Sequence, residues 1–291
     1  MEKKMMKKDV HETYAGMVWR RFKRHRAGFA CLILLLAIAA AAVLAPVLAP
    51  FDPDQINPAF SQAPGGPYLL GTDQMGRDVF SRLLYGTRVS LTVGVLSTLL
   101  ATSIGVVLGL TAGYFGGWAD MVIMRVTDMI MSFPYIMLIL VAGVIFRPGM
   151  WMIILILGFI DWPGVARLVR GEVLSLREKD FIHSAEIAGM SRRYILFSEI
   201  LPNCFAPILI FATGVMAISI LDEASLSFLG MGIQPPQASL GNMLNGAQSI
   251  SVLTGMPWLW VAPGVMIILL VVCTNFVGDA LRDAMDPNTS W

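Results

Sequence analysis

Six predominantly apolar runs divide the chain: Gly28 to Ala49, Val89 to Ala112, Met121 to Phe146, Ile145 to Val165, Phe205 to Leu221 and Trp258 to Val277. A hydrocarbon core about 30 Å thick takes roughly 20 apolar residues per helical crossing, so each run is long enough to span a bilayer. Lipid offers the backbone no hydrogen-bond partners, and such runs must close their own bonds as helices. The pattern therefore predicts an all-α membrane protein with six transmembrane helices. It divides the chain into an N-terminal segment (1–27), a first span (28–50), a loop on the far side (51–88), a five-helix core (89–282) and a C-terminal tail (283–291).

Within the core, residues 171–202 are too polar to cross lipid and carry helix punctuation. Asp180 is placed to cap a short helix through Ala188, Gly189 to end it in a left-handed conformation, and Ser191 to cap a second helix closing at Pro202. This is a helical hairpin outside the membrane. Tyr194, Phe197 and Leu201 share one face of its second helix and are expected to pack on the bundle. In the second span Gly105, Gly109, Gly113 and Gly117 recur every four residues, so that another backbone can approach one helix face closely. That face suits either a seam between subunits or packing within the chain.

Composition agrees with the pattern: 56% of residues are hydrophobic, 14% are charged, and mean hydropathy is +0.69. The distribution of charge adds orientation, because short cytoplasmic loops retain Lys and Arg. Lys3, Lys4, Lys7, Lys8, Arg20, Arg21, Lys23, Arg24 and Arg26 precede the first span, and Arg167, Arg170, Arg177, Lys179, Arg192 and Arg193 follow the fourth. An even number of helices puts both clusters, and both termini, on the cytoplasmic side. Arg77, Arg82 and Arg88 fall in the first external loop, Arg147 in the next, and the long loop from Glu223 to Met256 has none. The basic start and Val43-Leu44-Ala45-Pro46 could imitate a signal peptide, but the apolar run is of spanning length. Cys31, Cys204 and Cys273 read as buried small residues in different spans that share no bridge or metal site.

Ionisable groups in or beside spans cost about 2.5 to 3.5 kcal/mol on insertion scales, so each asks for a reason. Arg125 and Asp128, three apart, are expected to pair. Asp161, before Trp162-Pro163-Gly164, either faces an aqueous path or bonds backbone groups freed by the proline. Asp222 and Glu223 end the fifth span as solvated groups or as a carboxylate pair attracting cations or a peptide amine; with Asp161 and Ser227 they are the candidates for path or gate. Asp73, Arg77 and Asp78 are candidates for contact with a partner outside the membrane, with hydrogen bonding inside their loop as the alternative.

Several segments, in order along most of the chain, resemble the inner-membrane permeases of binding-protein-dependent ABC importers, specifically the second permease of dipeptide, oligopeptide and nickel systems. They are Gly71-Thr72-Asp73-Gln74-Met75-Gly76-Arg77-Asp78 with Ser81-Arg82, Gly113-Tyr114-Phe115-Gly116-Gly117-Trp118, Arg125-Val126-Thr127-Asp128, Glu223-Ala224-Ser225-Leu226-Ser227-Phe228-Leu229-Gly230 and Gly278-Asp279-Ala280-Leu281-Arg282-Asp283. The hairpin is similar to that superfamily's coupling loop, in Gly189 and in the ending Ile200-Leu201-Pro202. It departs at His183-Ser184-Ala185, where Glu-Ala-Ala is usual and a Glu would complete a capping box. The resemblance implies a type I importer permease core whose residues His183, Ser184, Ala185, Glu186, Gly189, Met190, Ser191 and Pro202 couple to an ATPase. It also implies a heterodimer with a second homologous permease, two cytoplasmic ATPase subunits holding ATP and Mg, and an external substrate-binding protein, with no cofactor bound by this chain and no nucleic acid as partner. Short peptides are the expected cargo, with nickel or another small solute as the alternative.

No phosphate loop Gly-x-x-x-x-Gly-Lys-Ser/Thr, His-Glu-x-x-His, Gly-x-Ser-x-Gly or Cys-x-x-Cys occurs. His11, His25 and His183 all lie in charged segments. Nothing assembles a nucleophile, base and oxyanion donor, so an enzyme is not expected. The remaining rival is a channel or ion-coupled transporter relaying ions through Asp128, Asp161 and Glu223.

Overall fold

The computed structural model describes residues 14–146 and 148–286; Lys3, Lys4, Lys7, Lys8, His11, Arg147 and residues 287–291 lie outside them. The described residues are helices and turns, with two isolated bridges in the first external loop. A short basic helix, α1 (Tyr14–Arg24), precedes α2 (Arg26–Val43), whose N-cap His25 accepts from the Gly28 amide through Nδ1 at 3.0 Å. After a single turn, α3 (Ala45–Leu48), the chain loops to α4 (Val79–Phe115), then α5 (Gly117–Ser132), α6 (Tyr135–Ile145) and α7 (Met150–Arg177). The hairpin follows as α8 (Asp180–Ile187), then α9 (Arg192–Tyr194), a wide π turn over Ile195–Ile200 and α10 (Leu201–Phe228). Short helices α11 (Leu240–Asn245) and α12 (Ile250–Gly255) lead to α13 (Trp258–Met285).

Among the described residues, five helical runs are long and apolar enough to cross a membrane: α2, α4, α7, Arg192–Phe228 and α13. The pair α5–α6 makes the sixth, but the expected straight span from Met121 to Phe146 is broken, with its halves inclined by 87°. The cause is Pro134, which lacks an amide hydrogen and disfavours helical geometry in the residue before it. Phe133 accordingly adopts φ −83°, ψ 143°. Pro163 and Pro207, by contrast, lie inside helices that continue without interruption.

Most boundaries move, the first span ending at Val43 and the last running on to Met285. The second span begins ten residues before Val89, because the Asp78 carboxylate caps a helix at Val79; Arg82 and Arg88 are therefore on α4 and the external loop ends at Asp78. The fourth extends past Val165 to Arg177, and the fifth is continuous with the second helix of the hairpin and runs on to Phe228.

The core is organised on α4 and α7. A Cβ built on Gly105 would lie 2.5 Å from the Val165 Cβ, on Gly109 2.6 Å from the Ala166 carbonyl oxygen, and on Gly113 2.7 Å from the Val173 Cβ. The glycine seam is thus packing within the chain, where lost side chains let two backbones meet. Gly117 is not on it: it starts α5 at φ +53° with open space around it. Nearer the start of α4, Gly94 meets Ile220 of α10, and α13 packs between α10 and α2. That last packing brings Cys31 and Cys273 within reach of each other, closer than expected for residues of different spans, although both are free thiols.

Candidate functional site

The hairpin carries the first group of candidate residues. Asp180 does not cap α8: the N-cap is Lys179, in extended geometry and without a side-chain bond, and Asp180 is the first helical residue. There its carboxylate faces the positive end of the helix dipole, and its carbonyl accepts from the Ser184 hydroxyl at 2.8 Å. With the cap one residue earlier, position 183 lies beyond the first turn's third residue, so the capping-box argument does not apply to His183. Its Nδ1 lies 3.8 Å from a Glu186 carboxylate oxygen instead, with both side chains half exposed.

Gly189 ends α8 at φ +72° as expected. The Met190 amide donates to the Ala185 carbonyl at 3.1 Å and the Gly189 amide to that of Glu186 at 3.0 Å, the paired closure of a left-handed helix end. Ser191 caps the second helix through its hydroxyl, which accepts from the Tyr194 amide at 3.3 Å.

That helix does not close at Pro202. Pro202 sits in the first turn of α10, directly after the π turn, where the Leu201 amide reaches five residues back to Leu196. A proline has no amide to give and its ring crowds the carbonyl four residues earlier, and the wide turn makes room for both. The turn also changes which side chains pack. Ile195, Leu196 and Ile200 are buried with Ile182 and Ala185 against Val169 and Val173, whereas Tyr194 and Phe197, expected to face the bundle, are exposed and Leu201 is only partly buried. Spacings of one and five residues, which a regular α-helix does not align, become one face when each turn holds an extra residue. Outside, Phe181, Ile187 and Met190 form an exposed apolar tip, with Ile187 at 88%. Ser184, Ser191 and Pro202 are also exposed, while Ala185 is buried.

The second group lies where the broken span meets α7 and α10. Tyr135, directly after the break, donates its hydroxyl to Asp222 at 2.8 Å, and Ser219 donates to Asp161 at 3.5 Å. Both carboxylates face Tyr135, beside a cavity of about 270 Å³ lined by Phe133, Tyr135, Asp161, Pro163 and Phe211 among others. Asp161 does not bond backbone freed by Pro163, since α7 continues through the proline; it accepts from a side chain and lines the cavity instead.

Glu223 is not a solvated helix end. It is wholly buried, accepting from the Ser90 hydroxyl at 2.5 Å and the Ser227 hydroxyl at 2.8 Å, with Ser239 also facing it. Ser227 in turn accepts from the Ile233 amide at 3.0 Å, and Asn242 donates to the Ile233 and Gln237 carbonyls at 3.2 and 2.6 Å. One carboxyl group thus joins α4, α10 and the loop that returns through α11. Gly86 of α4 backs directly onto that loop, a Cβ there lying 3.1 Å from the Ser239 carbonyl carbon.

The candidate residues of the loop before α4 bond within their own loop. Asp73 accepts from the Met75 and Arg77 amides at 2.8 and 2.9 Å and from Arg77 Nε at 2.7 Å, around Gly76 at φ +79°. Asp78 is buried as the cap of α4, accepting from the Ser81 amide and hydroxyl at 2.7 and 2.6 Å. Arg82 donates to the Pro53 and Pro236 carbonyls at 3.1 and 3.3 Å and to Asp54 at 3.3 Å, tying this loop to the later one.

Asp128 pairs with Arg167 of α7 at 2.8 Å and not with Arg125. A second ion pair, unforeseen, is the two-pronged bond of Arg170 to Asp120 at 2.5 and 2.6 Å. Tyr135, Ser90 and Ser219 were also unforeseen; the readable signals were Pro134 just before the tyrosine and a serine inside each apolar run. The proposed ion relay is not assembled, since Asp128, Asp161 and Glu223 each belong to a separate hydrogen-bonded set. Among the described residues no three His, Cys, Asp or Glu side chains gather to hold a metal ion.

Comparison with known proteins places this architecture. Residues 105–291 match the family described as binding-protein-dependent transport system inner membrane component, and residues 13–64 match the N-terminal transmembrane domain of oligopeptide transport permease C. The chain is 40% identical over 268 residues to a putative peptide permease protein of Brucella suis biovar 1, covering 92% of this chain and 89% of that one. It is 38% identical over 276 residues to the dipeptide transport system permease protein of Haemophilus influenzae (92% and 93% covered), and 41% identical over 275 residues to the glutathione transport system permease protein of Pectobacterium atrosepticum (92% and 89%). Among solved structures it is similar to a chain of the inward-facing MetNI methionine ABC transporter, with TM-score 0.56 and 19% identity over 70% of this chain and 97% of that one, a likeness of fold. With a family match over more than half its length and relatives of such identity along nearly all of it, the chain belongs to the inner-membrane components of binding-protein-dependent transport systems, as a permease subunit of an ABC importer.

Proposed function

We propose that this permease forms half of the path for short peptides and is driven through the hairpin Asp180–Leu201 by an ATPase subunit docked on its tip. The supporting observation is the division of the hairpin into two apolar faces: Ile182, Ala185, Ile195, Leu196 and Ile200 belong to the bundle, and Phe181, Ile187 and Met190 are left outside it. Exposed apolar side chains on a rigid, capped turn suit a protein partner. Movement of that partner reaches the membrane only through contacts that differ between states, and the hairpin's buried face supplies the connection. His183, Ser184, Glu186, Gly189, Met190 and Ser191 shape or line this surface, and Pro202 lies where it enters the bundle.

In this reading a second, homologous permease supplies the other half of the path, two ATPase subunits hold ATP and Mg, and an external binding protein delivers cargo. This chain binds no cofactor, catalyses no reaction, and has both termini in the cytoplasm. The names of its relatives, which speak of peptides, dipeptides and glutathione, favour peptide over nickel. Asp161 and Asp222, beside the cavity at the broken span, are the path candidates. Glu223 and Ser227 hold the gate region together from behind, and Asp73, Arg77 and Asp78 shape the loop facing the binding protein.

The test is site-directed crosslinking. Ile187→Cys in the assembled importer should crosslink to an ATPase subunit, in an amount that changes when ATP is added, and peptide uptake should need that subunit. Crosslinks only to external proteins, or uptake by this chain without an ATPase, would overturn the proposal.

A further inference from the structure

The helix before the first span bears on the membrane itself. One stripe of α1 is used inside the protein: Val18 and Phe22 are buried against Ala280 and Ala284 near the end of α13. Because α13 and α2 both cross the membrane and α2 starts at Arg26, α1 sits at the end of the bundle, at the level where apolar spans give way to water. Trp19 occupies the flank of this helix. It is 48% exposed, stacked on Phe22 at 5.9 Å between ring centroids and edge-on to Phe29 in the first turn of α2 at 6.4 Å. An indole there is placed as interfacial tryptophans are, with an apolar body beside acyl chains and a polar edge toward headgroups.

The rest of the surface is cationic. Arg20, Lys23, Arg24 and Arg26 are exposed, and Lys23 Nζ stands 5.0 Å from the Trp19 ring centroid. Arg21 is turned inward to donate to the Asp286 carbonyl at 3.0 Å, and His25 Nε2 lies 3.7 Å from Asp283, so part of the charge at this end is used internally. From Tyr14 to Leu48 the chain contains no acidic residue. A helix with one face anchored in protein, an indole on its flank and cations on its open side is complementary to a negatively charged lipid surface.

We infer that α1 docks anionic phospholipids, holding headgroup phosphates through Arg20, Lys23, Arg24 and Arg26 with Trp19 seated at the acyl boundary. The lipids form a charged collar at the end of the bundle where α1 clamps α2 to α13. This follows from α2 and α13 being spans and does not depend on what the importer carries.

Spin-labelled phosphatidylglycerol and phosphatidylcholine, compared in nanodiscs of the assembled importer, test it by the immobilised fraction of each label. The native protein should prefer phosphatidylglycerol by about threefold or more in low salt and lose most of that preference near 0.5 M salt, where the screening length falls to roughly 4 Å. The variant Arg20→Gln/Lys23→Gln/Arg24→Gln/Arg26→Gln should bind both labels about equally, whereas Arg192→Gln/Arg193→Gln on the hairpin should leave the preference intact. If the fourfold variant does not fold, Lys23→Gln/Arg24→Gln is read instead and should about halve the preference. Undiminished preference in the α1 variants, insensitivity to salt, or loss in the hairpin variant would overturn the inference.

Discussion

Glu223 separates two views of an intramembrane carboxyl group. If it fastens the returning loop to the bundle, shape and hydrogen bonding matter and charge does not. Replacing it with Ala leaves the hydroxyls of Ser90 and Ser227, at 2.5 and 2.8 Å in the native protein, without their acceptor in a site closed to water. Hydrogen bonds within membrane bundles average about 0.6 kcal/mol and reach about 1.7, so two amount to roughly 1 to 3 kcal/mol. The deleted atoms leave a void of about 50 Å³, which at ~24 cal/mol per Å³ adds about 1 kcal/mol. Glu223→Ala should therefore cost about 2 to 4 kcal/mol and lower the melting temperature of the purified permease by roughly 3 to 7 °C. Glu223→Gln keeps the length and one carbonyl acceptor, and a serine hydroxyl can accept from the new amide, so the cost should be about 1 kcal/mol or less. Thermal melting of both variants, together with peptide uptake by the reconstituted importer, decides the matter. A Glu223→Gln protein that melts like the native one but transports nothing would refute the fastening role and point to an ionisable function.

Other positions give sharper or quieter outcomes. Gly109→Leu forces a side chain against the Ala166 carbonyl, 2.6 Å from the Cβ position, and should separate α4 from α7, seen as loss of folded protein in detergent. Gly189→Ala meets no neighbour but must hold φ +72°, at about 1 kcal/mol; ATP-driven uptake should weaken while membrane insertion, read by fractionation, is unchanged. Tyr135→Phe removes the bond to Asp222 and should change the rate of uptake more than the melting temperature. Arg167→Ala breaks an exposed pair with Asp128 and should shift stability by no more than about 0.5 kcal/mol in melting experiments.

Much of the architecture was legible because lipid enforces it: an apolar run of spanning length has few alternatives to a helix. Gly189 and Ser191 were legible for a local reason, since a left-handed residue and a hydroxyl cap declare themselves within four residues. Less visible were features decided by partners distant in sequence. Asp128 chose Arg167 over its helical neighbour Arg125, and Glu223 found Ser90 across the bundle. The break at Phe133 was a missed local signal, because a proline within an apolar stretch does not change its hydropathy. The hairpin's packing face was misassigned because a periodicity of 3.6 was assumed through a turn that does not keep it.

The helical run Arg192–Phe228 spans 37 residues, about 55 Å along its axis, and reaches from the exposed hairpin to the buried Glu223. In the proposed coupling, a push at its outer end would be delivered to the far side of the membrane by a strut, without crossing a loop that could absorb it. Near the hairpin end, the π turn over Ile195–Ile200 is where the strut is least tightly wound. If that coupling holds, a lever with a swivel beside its handle would twist as it is displaced, converting a sideways tug into rotation of the far helix face and of the loop carrying Ser239 and Asn242.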